Sequence, residues 1–148
     1  MIELKPISYT NVEFVYECLK ELRGNLNYSL SEFTQYLEEN LLLDHPNFLI
    51  LVGSDLDTCV GMITCNRFAI PRYMGFGYEL EEVIVHPNFQ SKGYGKALIE
   101  SFLQQVKSDV GVRKVIVKTD DRLKAGKLYE RYFGAVDVQV YSKVVNYL

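Results

Sequence analysis

Residues 85–97 read Val-His-Pro-Asn-Phe-Gln-Ser-Lys-Gly-Tyr-Gly-Lys-Ala, and this stretch decides the fold. The apolar residues 83–85 before it predict a buried strand. After it, apolar residues at helical spacing predict a helix over residues 93–109: Leu98, Phe102, Leu103 and Val106. The two glycines of the stretch therefore lie where a strand turns into a helix.

The start of such a helix is a site for an anion. Its first amides lack acceptors within the helix and carry the positive end of the helix dipole. Gly93 and Gly95 let a phosphate approach the backbone without a Cβ in the way. Two lysines add positive charge, and no acidic residue lies between Gln90 and Ile99. We therefore predict that a pyrophosphate binds the phosphate loop, defined as Gln90, Ser91, Lys92, Gly93, Tyr94, Gly95 and Lys96.

Two common phosphate motifs do not fit this stretch. A Walker loop requires G-x-x-x-x-G-K-[ST], but Gln90 and Ala97 occupy the positions of the first glycine and the hydroxyl residue. The dinucleotide fingerprint G-x-G-x-x-G would need a glycine at Leu98, and the rest of the chain is too short for a second half of a doubly wound fold. Binding of ATP through a Walker loop is therefore excluded, and NAD is disfavoured.

The stretch does match a V-x-P turn followed by Q/R-x-x-G-x-G/A, at Val85, Pro87, Gln90, Gly93 and Gly95. This pattern resembles the GNAT superfamily of N-acetyltransferases, in which the loop binds the pyrophosphate of acetyl-coenzyme A (acetyl-CoA). Residues 125–135, which read Ala-Gly-Lys-Leu-Tyr-Glu-Arg-Tyr-Phe-Gly-Ala, are similar to the same family's A-x-x-L-Y-x-x-x-G-F. With the strands around them the two motifs cover residues 77–140, and their joint occurrence in the expected order is specific.

The order of the predicted elements implies one α/β domain of mixed α+β type over residues 1–148, with the GNAT-like fold that the resemblance implies. We expect a mixed sheet of six to seven strands, antiparallel at first and parallel at strands four and five, with about four helices on both faces. The patterns place strands near residues 2–7, 48–52, 58–70, 78–85, 114–119 and 136–140. Capping signatures at Thr10-x-x-Glu13 and Ser29-x-x-Glu32 predict the starts of the first two helices.

The resemblance also implies site residues. The backbone of Val83, Ile84 and Val85 would pair with the pantetheine arm as an added strand. Tyr129 matches the family's tyrosine acid, which serves the departing thiolate. A strand glutamate often serves as the base, and Glu81 and Glu79 fall at the corresponding places.

The same residues also have simpler structural interpretations. Strand alternation puts Glu79 and Glu81 on one side of the strand and Glu82 on the other, and a solvated acidic strand end is the simpler interpretation of all three. Tyr129 also suits core packing, because it shares a helical stripe with apolar residues. Seven residues before it, where the family often has an asparagine that contacts the cofactor, this chain has Arg122. His86 is expected to be a turn residue and not a base.

Composition excludes several classes of protein. A net charge of −3 lacks the basic footprint of a nucleic-acid binder. No apolar run reaches the ~18 residues of a spanning helix, and the N-terminus does not read as a signal peptide, so we expect a cytoplasmic protein without a membrane partner. The three cysteines, Cys18, Cys59 and Cys65, lack C-x-x-C spacing and are expected to be reduced core residues. No metal site is expected.

The implied function is transfer of an acetyl group from acetyl-CoA to the primary amine of a small molecule, or of a peptide or protein, by direct attack in a ternary complex. The acidic strand and the aromatic residues Tyr73, Phe76 and Tyr78 suit a small cationic amine. The alternative is a non-catalytic acyl-CoA sensor or interaction module that keeps the loop but not the chemistry. The oligomeric state is left open between a monomer and a homodimer.

Overall fold

The computed structural model describes residues 1–118 and 125–134. The chain divides into two compact units, Met1–Lys118 and Thr119–Leu148. The sheet and three of the helices belong to the first unit, and residues 125–134 are the described part of the second.

A five-stranded mixed sheet forms the centre of the first unit, in the order β1-β2-β3-β4-β5. Its first four strands pair antiparallel, and β4 and β5 pair parallel. This confirms the predicted change of direction at the fourth and fifth strands. The strands are β1 Glu3–Pro6, β2 Phe48–Asp55, β3 Thr58–Ile70, β4 Gly75–Val85 and β5 Val112–Val117.

Five strands in the described residues are fewer than the six to seven that the sequence predicts. The two longest strands, β3 with 13 residues and β4 with 11, correspond to the single strands predicted at residues 58–70 and 78–85. The sixth predicted strand, at Val136, Val138 and Val140, lies outside the described residues.

Four helices were predicted, and four are present in the described residues: α1 Val12–Arg23, α2 Leu30–Glu39, α3 Tyr94–Lys107 and α4 Ala125–Glu130. One core cluster joins α1 and α2 to the sheet through Val15, Leu37 and Met62. A second cluster joins α3 to the sheet through Leu98, Phe102 and Ile63. The two clusters confirm that helices cover both faces of the sheet. None of the described helices is long and apolar enough to span a bilayer.

The two predicted helix starts differ in outcome. Ser29 forms the expected capping box, in which its hydroxyl accepts from the amide of Glu32 and the Glu32 carboxylate accepts from the amide of Ser29. The prediction for Thr10 is wrong, because α1 begins one residue later with Asn11 as its N-cap. The Thr10 hydroxyl instead lies 2.8 Å from the hydroxyl of Ser8.

Candidate functional site

β5 pairs with only the first half of β4. The last parallel pair between them is Leu80 with Val117, whereas β4 continues to Val85. On its other edge β4 stays paired with β3 to the end, with Val85 opposite Gly61. In the described part of the chain, the β5 side of residues 81–85 is therefore an unpaired strand edge, and it includes the predicted Val83, Ile84 and Val85.

A β-bulge at Glu81 marks this point. The register passes from Cys65 opposite Leu80 to Thr64 opposite Glu82, which leaves Glu81 as the extra residue of β4. A bulge reverses the alternation of side chains beyond it. Leu80 accordingly packs in the α3 cluster, whereas Ile84 packs in the α1 and α2 cluster.

Because of the bulge, all three glutamates of β4 lie on the face of the sheet that α1 and α2 cover. The Glu82 carboxylate accepts from the Thr64 hydroxyl, and the Glu81 carboxylate accepts from the Asn66 amide at 3.3 Å. Thr64 and Asn66 are two residues apart on one strand and so share a face. Glu79 stands directly opposite Asn66. The predicted placement of Glu82 on the other side is therefore wrong.

The two candidate bases have different surroundings. Glu79 forms an ion pair with Lys118, and the side chain of Glu79 is 24% exposed. The Glu79 carboxylate raises the pKa of the Lys118 ammonium above its ordinary value, chiefly through this hydrogen bond. Glu81 is exposed, and Asn66 is its hydrogen-bond partner within the described residues. The Glu81 carboxylate is thus the more accessible of the two.

Beyond β4, the phosphate loop has the backbone that an anion site requires. Gly93 is the N-cap of α3 with φ 85°, in the left-handed region, and it offers no side chain to cap the helix. The first bond of the helix runs from the Ala97 amide to the Gly93 carbonyl at 3.1 Å. The amides of Tyr94, Gly95 and Lys96 precede that bond and point outward from the helix start. Apart from its two chain neighbours, no residue has an atom within 4 Å of where a Cβ on Gly93 would be, so the space beside it is open to an anion.

Two polar side chains of the loop, those of Gln90 and Tyr94, form hydrogen bonds with other parts of the protein. Gln90 donates from its amide to the Glu21 carboxylate at 3.0 Å and to the Val85 carbonyl at 3.2 Å. The Tyr94 hydroxyl donates to Asp55 at 2.8 Å. These side chains hold the loop in place.

The lysines of the loop stay at the surface. Lys92 is exposed, and its ammonium lies 5.8 Å from the centre of the Phe89 ring. Lys96 forms an ion pair with Glu100 at 3.7 Å, in which both side chains are 51% exposed. Ser91 between Gln90 and Lys92 is also exposed, and its φ of 61° lies in the left-handed region. The loop therefore carries accessible positive charge beside its free amides.

His86 has the turn role expected of it. Its Nδ1 accepts from the amide of Asn88 at 3.2 Å, and its ring stacks on that of Phe14 with centres 5.3 Å apart. This nitrogen is committed to the turn.

Tyr129 lies in α4, in the second unit. It is partly buried, and its ring meets that of Phe133 edge-on with centres 6.2 Å apart. Burial raises the pKa of the Tyr129 phenol above its ordinary value, so the hydroxyl stays protonated at neutral pH. Arg122 lies outside the described residues.

Sequence reasoning missed the residues that hold the site together. Five residues from other parts of the chain form a hydrogen bond or an ion pair with a side chain of the phosphate loop or with a glutamate of β4: Asp55, Glu21, Thr64, Asn66 and Lys118. The Tyr94 bond spans 39 residues and the Gln90 bond spans 69. No local pattern carries a signal for pairs so far apart in the chain.

The profile of the acetyltransferase (GNAT) family matches residues 13–135. The chain belongs to this family. No curated protein sequence matches it significantly.

Solved structures share the GNAT fold with this chain at low sequence identity. A possible acetyltransferase from Clostridium difficile 630 has a TM-score of 0.78 and 16% identity, with 99% of each chain covered. Ribosomal-protein-alanine N-acetyltransferase from Brucella melitensis biovar Abortus 2308 has a TM-score of 0.78 and 17% identity, with 99% of this chain and 100% of that one covered. An aminoglycoside acetyltransferase from an uncultured soil metagenomic sample, in complex with sisomicin, has a TM-score of 0.71 and 17% identity, with 97% of each covered.

Proposed function

We propose that this GNAT protein transfers the acetyl group of acetyl-CoA to a primary amine, by direct attack of the amine in a ternary complex. One observation carries the proposal: the edge of β4 at residues 81–85, which has no paired strand among the described residues, leads along the chain to the amides that begin α3.

The two parts of this arrangement suit the two parts of coenzyme A. The pantetheine arm is an extended chain with its own amides, which suits pairing with the edge at Val83, Ile84 and Val85 in the manner of an added strand. The diphosphate suits the amides at Tyr94, Gly95 and Lys96, because a helix start attracts anions. The open space beside Gly93 lets the diphosphate come close.

Attack on the thioester requires a neutral amine. At pH 7 an amine with a pKa of ~10.4 pays about 4.6 kcal/mol to lose its proton. We assign the removal of that proton to Glu81, directly or through water, because its carboxylate is exposed beside the unpaired edge. Glu79 is the second candidate, but an ion pair with Lys118 already engages it.

Glu81 passes the ammonium proton on to solvent and is free to accept a second one. The neutral amine nitrogen then forms a bond to the carbonyl carbon and loses its second proton to Glu81, while the carbon–sulfur bond breaks and coenzyme A leaves with the electron pair. An amide of residues 83–85 polarises the carbonyl. Tyr129, whose match to the family's tyrosine suggests the role, donates a proton or a hydrogen bond to the thiolate.

A small cationic amine is the acceptor class that we propose. Glu79, Glu81 and Glu82 lie on one face of the sheet, where their negative charge favours a cation. Two of the similar structures are a ribosomal-protein-alanine N-acetyltransferase and an aminoglycoside acetyltransferase, so the shared fold serves acceptors of different kinds.

A panel of amines tests the proposal. The protein is incubated with acetyl-CoA and each of a set of diamines, polyamines, aminoglycosides and N-terminal peptides, and the free thiol released is measured while products are identified by mass spectrometry. We expect thiol release that depends on a cationic small amine, together with a product heavier by one acetyl group. Tight binding of acetyl-CoA without release by any amine would favour the sensor alternative instead.

A further inference from the structure

The tip of the β2–β3 hairpin touches the first residue of the phosphate-binding helix. Asp55 is the last residue of β2 and stands opposite Thr58 across the turn. Its carboxylate accepts a hydrogen bond of 2.8 Å from the hydroxyl of Tyr94, the first residue of α3. The Tyr94 ring is also fixed by an edge-on contact with Phe89, with centres 6.1 Å apart.

A second contact joins the same helix face to the same hairpin. Leu98, four residues after Tyr94, is fully buried against two glycines of the hairpin. A Cβ at Gly53 would lie 2.3 Å from one methyl of Leu98, and a Cβ at Gly61 would lie 2.8 Å from the other. The helix therefore rests directly on the hairpin backbone over its first two turns.

The start of this helix needs such support. Its N-cap is Gly93, which has no side chain to bind the first amides. An uncapped first turn frays, and frayed amides have to be ordered before they can bind an anion. A contact that holds the turn in place removes that cost from binding.

We propose that Asp55 is a positioning residue for the diphosphate site and acts through the hydroxyl of Tyr94. This inference depends on the proposed function, since it assumes that acetyl-CoA binds at the loop. Asp55 acts as a hydrogen-bond acceptor here, and its charge is not needed, because the neutral carbonyl of an asparagine can accept the same bond.

The test compares four single variants with the wild type and measures KM and kcat for acetyl-CoA. We expect Asp55→Ala and Tyr94→Phe each to raise KM by about fivefold with little change in kcat, the size of one lost hydrogen bond. Asp55→Asn should restore the wild-type KM. Asp57→Ala is the matched control, because this exposed residue carries the same charge on the same turn and should leave KM unchanged.

Two further measurements separate positioning from general damage. The double variant Asp55→Ala/Tyr94→Phe should raise KM no more than either single change, because both remove the same bond. Acetyl-pantetheine, which lacks the diphosphate, should show the same KM in the wild type and in the variants.

The outcomes distinguish this inference from the proposed function. A wild type that binds acetyl-CoA, with variants whose KM is unchanged, would overturn the role of Asp55 alone. An equal rise in the KM for acetyl-pantetheine, or a failure of Asp55→Asn to restore the KM for acetyl-CoA, would also overturn it. A wild type with no affinity for acetyl-CoA in calorimetry would overturn both proposals.

Discussion

Glu81 is the extra residue of the bulge in β4, with no residue of β3 directly opposite it, and its carboxylate is held by the Asn66 amide. Its neighbours on that face are bound more firmly, Glu79 by Lys118 and Glu82 by Thr64. An exposed carboxylate is a weak base in water, but it can move to meet a substrate and can act through a water molecule. This difference in surroundings is what separates three side chains that the sequence presents as near equals.

The pH dependence of the rate tests the assignment of the base. We expect Glu81→Gln to lower kcat/KM for the amine by about 10²-fold and to remove the acid limb of the pH–rate profile, the usual scale for loss of a general base. Glu79→Gln is the matched control and should keep that limb. Loss of the limb in Glu79→Gln alone would assign the role to Glu79, and wild-type profiles in both would exclude a carboxylate base on this strand.

Tyr129 supports a second prediction at this scale. Because burial raises the pKa of its phenol, the hydroxyl remains protonated throughout the assay range and is available as a donor. We expect Tyr129→Phe to lower kcat by about 10²-fold while the Kd for acetyl-CoA changes little, since the donor acts on the developing thiolate. Steady-state kinetics and calorimetry give the two quantities. An unchanged kcat would assign Tyr129 to packing alone.

At the scale of elements, the ends of helices show which glycines serve binding and which serve the fold. Gly24 ends α1 with φ 76°, and Gly93 begins α3 with φ 85°. A Cβ at either position would lie more than 4 Å from every residue other than the two chain neighbours. Both positions require a positive φ, although their ψ angles differ, at −97° for Gly24 and 4° for Gly93, and only Gly93 lies in the phosphate loop.

Replacing each of these glycines by alanine separates the two effects. Gly93→Ala should lower the free energy of unfolding by about 1 kcal/mol, the cost of the left-handed conformation for an L residue, and Gly24→Ala should lower it by at least as much because its φ is also positive. Gly93→Ala should in addition raise the KM for acetyl-CoA by about tenfold, because its methyl group occupies the path of the diphosphate. Denaturant unfolding and kinetics measure the two. An equal rise in KM in both variants would point to a general loss of structure.

At the scale of the whole molecule, the core holds two cysteines that the surrounding side chains keep protonated. Cys18 on α1 and Cys65 on β3 are fully buried. Burial raises the pKa of each thiol from 9.0 to about 12. They lie in different core clusters, on opposite faces of the sheet. Ionisation of either thiol therefore works against folding.

The stability of the fold should fall in alkali for this reason. In the unfolded chain each thiol loses its proton near its ordinary pKa, whereas in the folded chain it keeps that proton to about pH 12. Each buried thiol thus contributes fully to the free energy of unfolding below pH 9. This contribution is lost as the pH rises toward 12, at up to about 1.4 kcal/mol per pH unit and per thiol. Urea unfolding at pH 8 and at pH 10.5 measures it. Cys65→Ala, though less stable throughout, should decline less between the two; an equal decline would exclude the thiol as the cause.

The sequence alone predicts much of the fold and the main binding loop. The start of α2 follows from Ser29 and Glu32, and the phosphate loop from its glycines, because capping and left-handed turns depend on residues within a few positions of each other. The change from antiparallel to parallel pairing follows from the order of the elements. The face of the sheet predicted for Glu82 from strand alternation is wrong, because one extra residue in β4 reverses the alternation and no local sequence pattern indicates that residue.

The local chemistry of this protein was therefore determined by its sequence, and the arrangement of that chemistry by its tertiary structure. A helix start that binds anions needs only neighbouring residues. The separation of β4 from β5, the bulge at Glu81 and the bond between Asp55 and Tyr94 all depend on contacts between distant parts of the chain, which span 39 residues in the last case. Such contacts form only when the strands and helices pack together, because their energy comes from the packed state and not from any one segment.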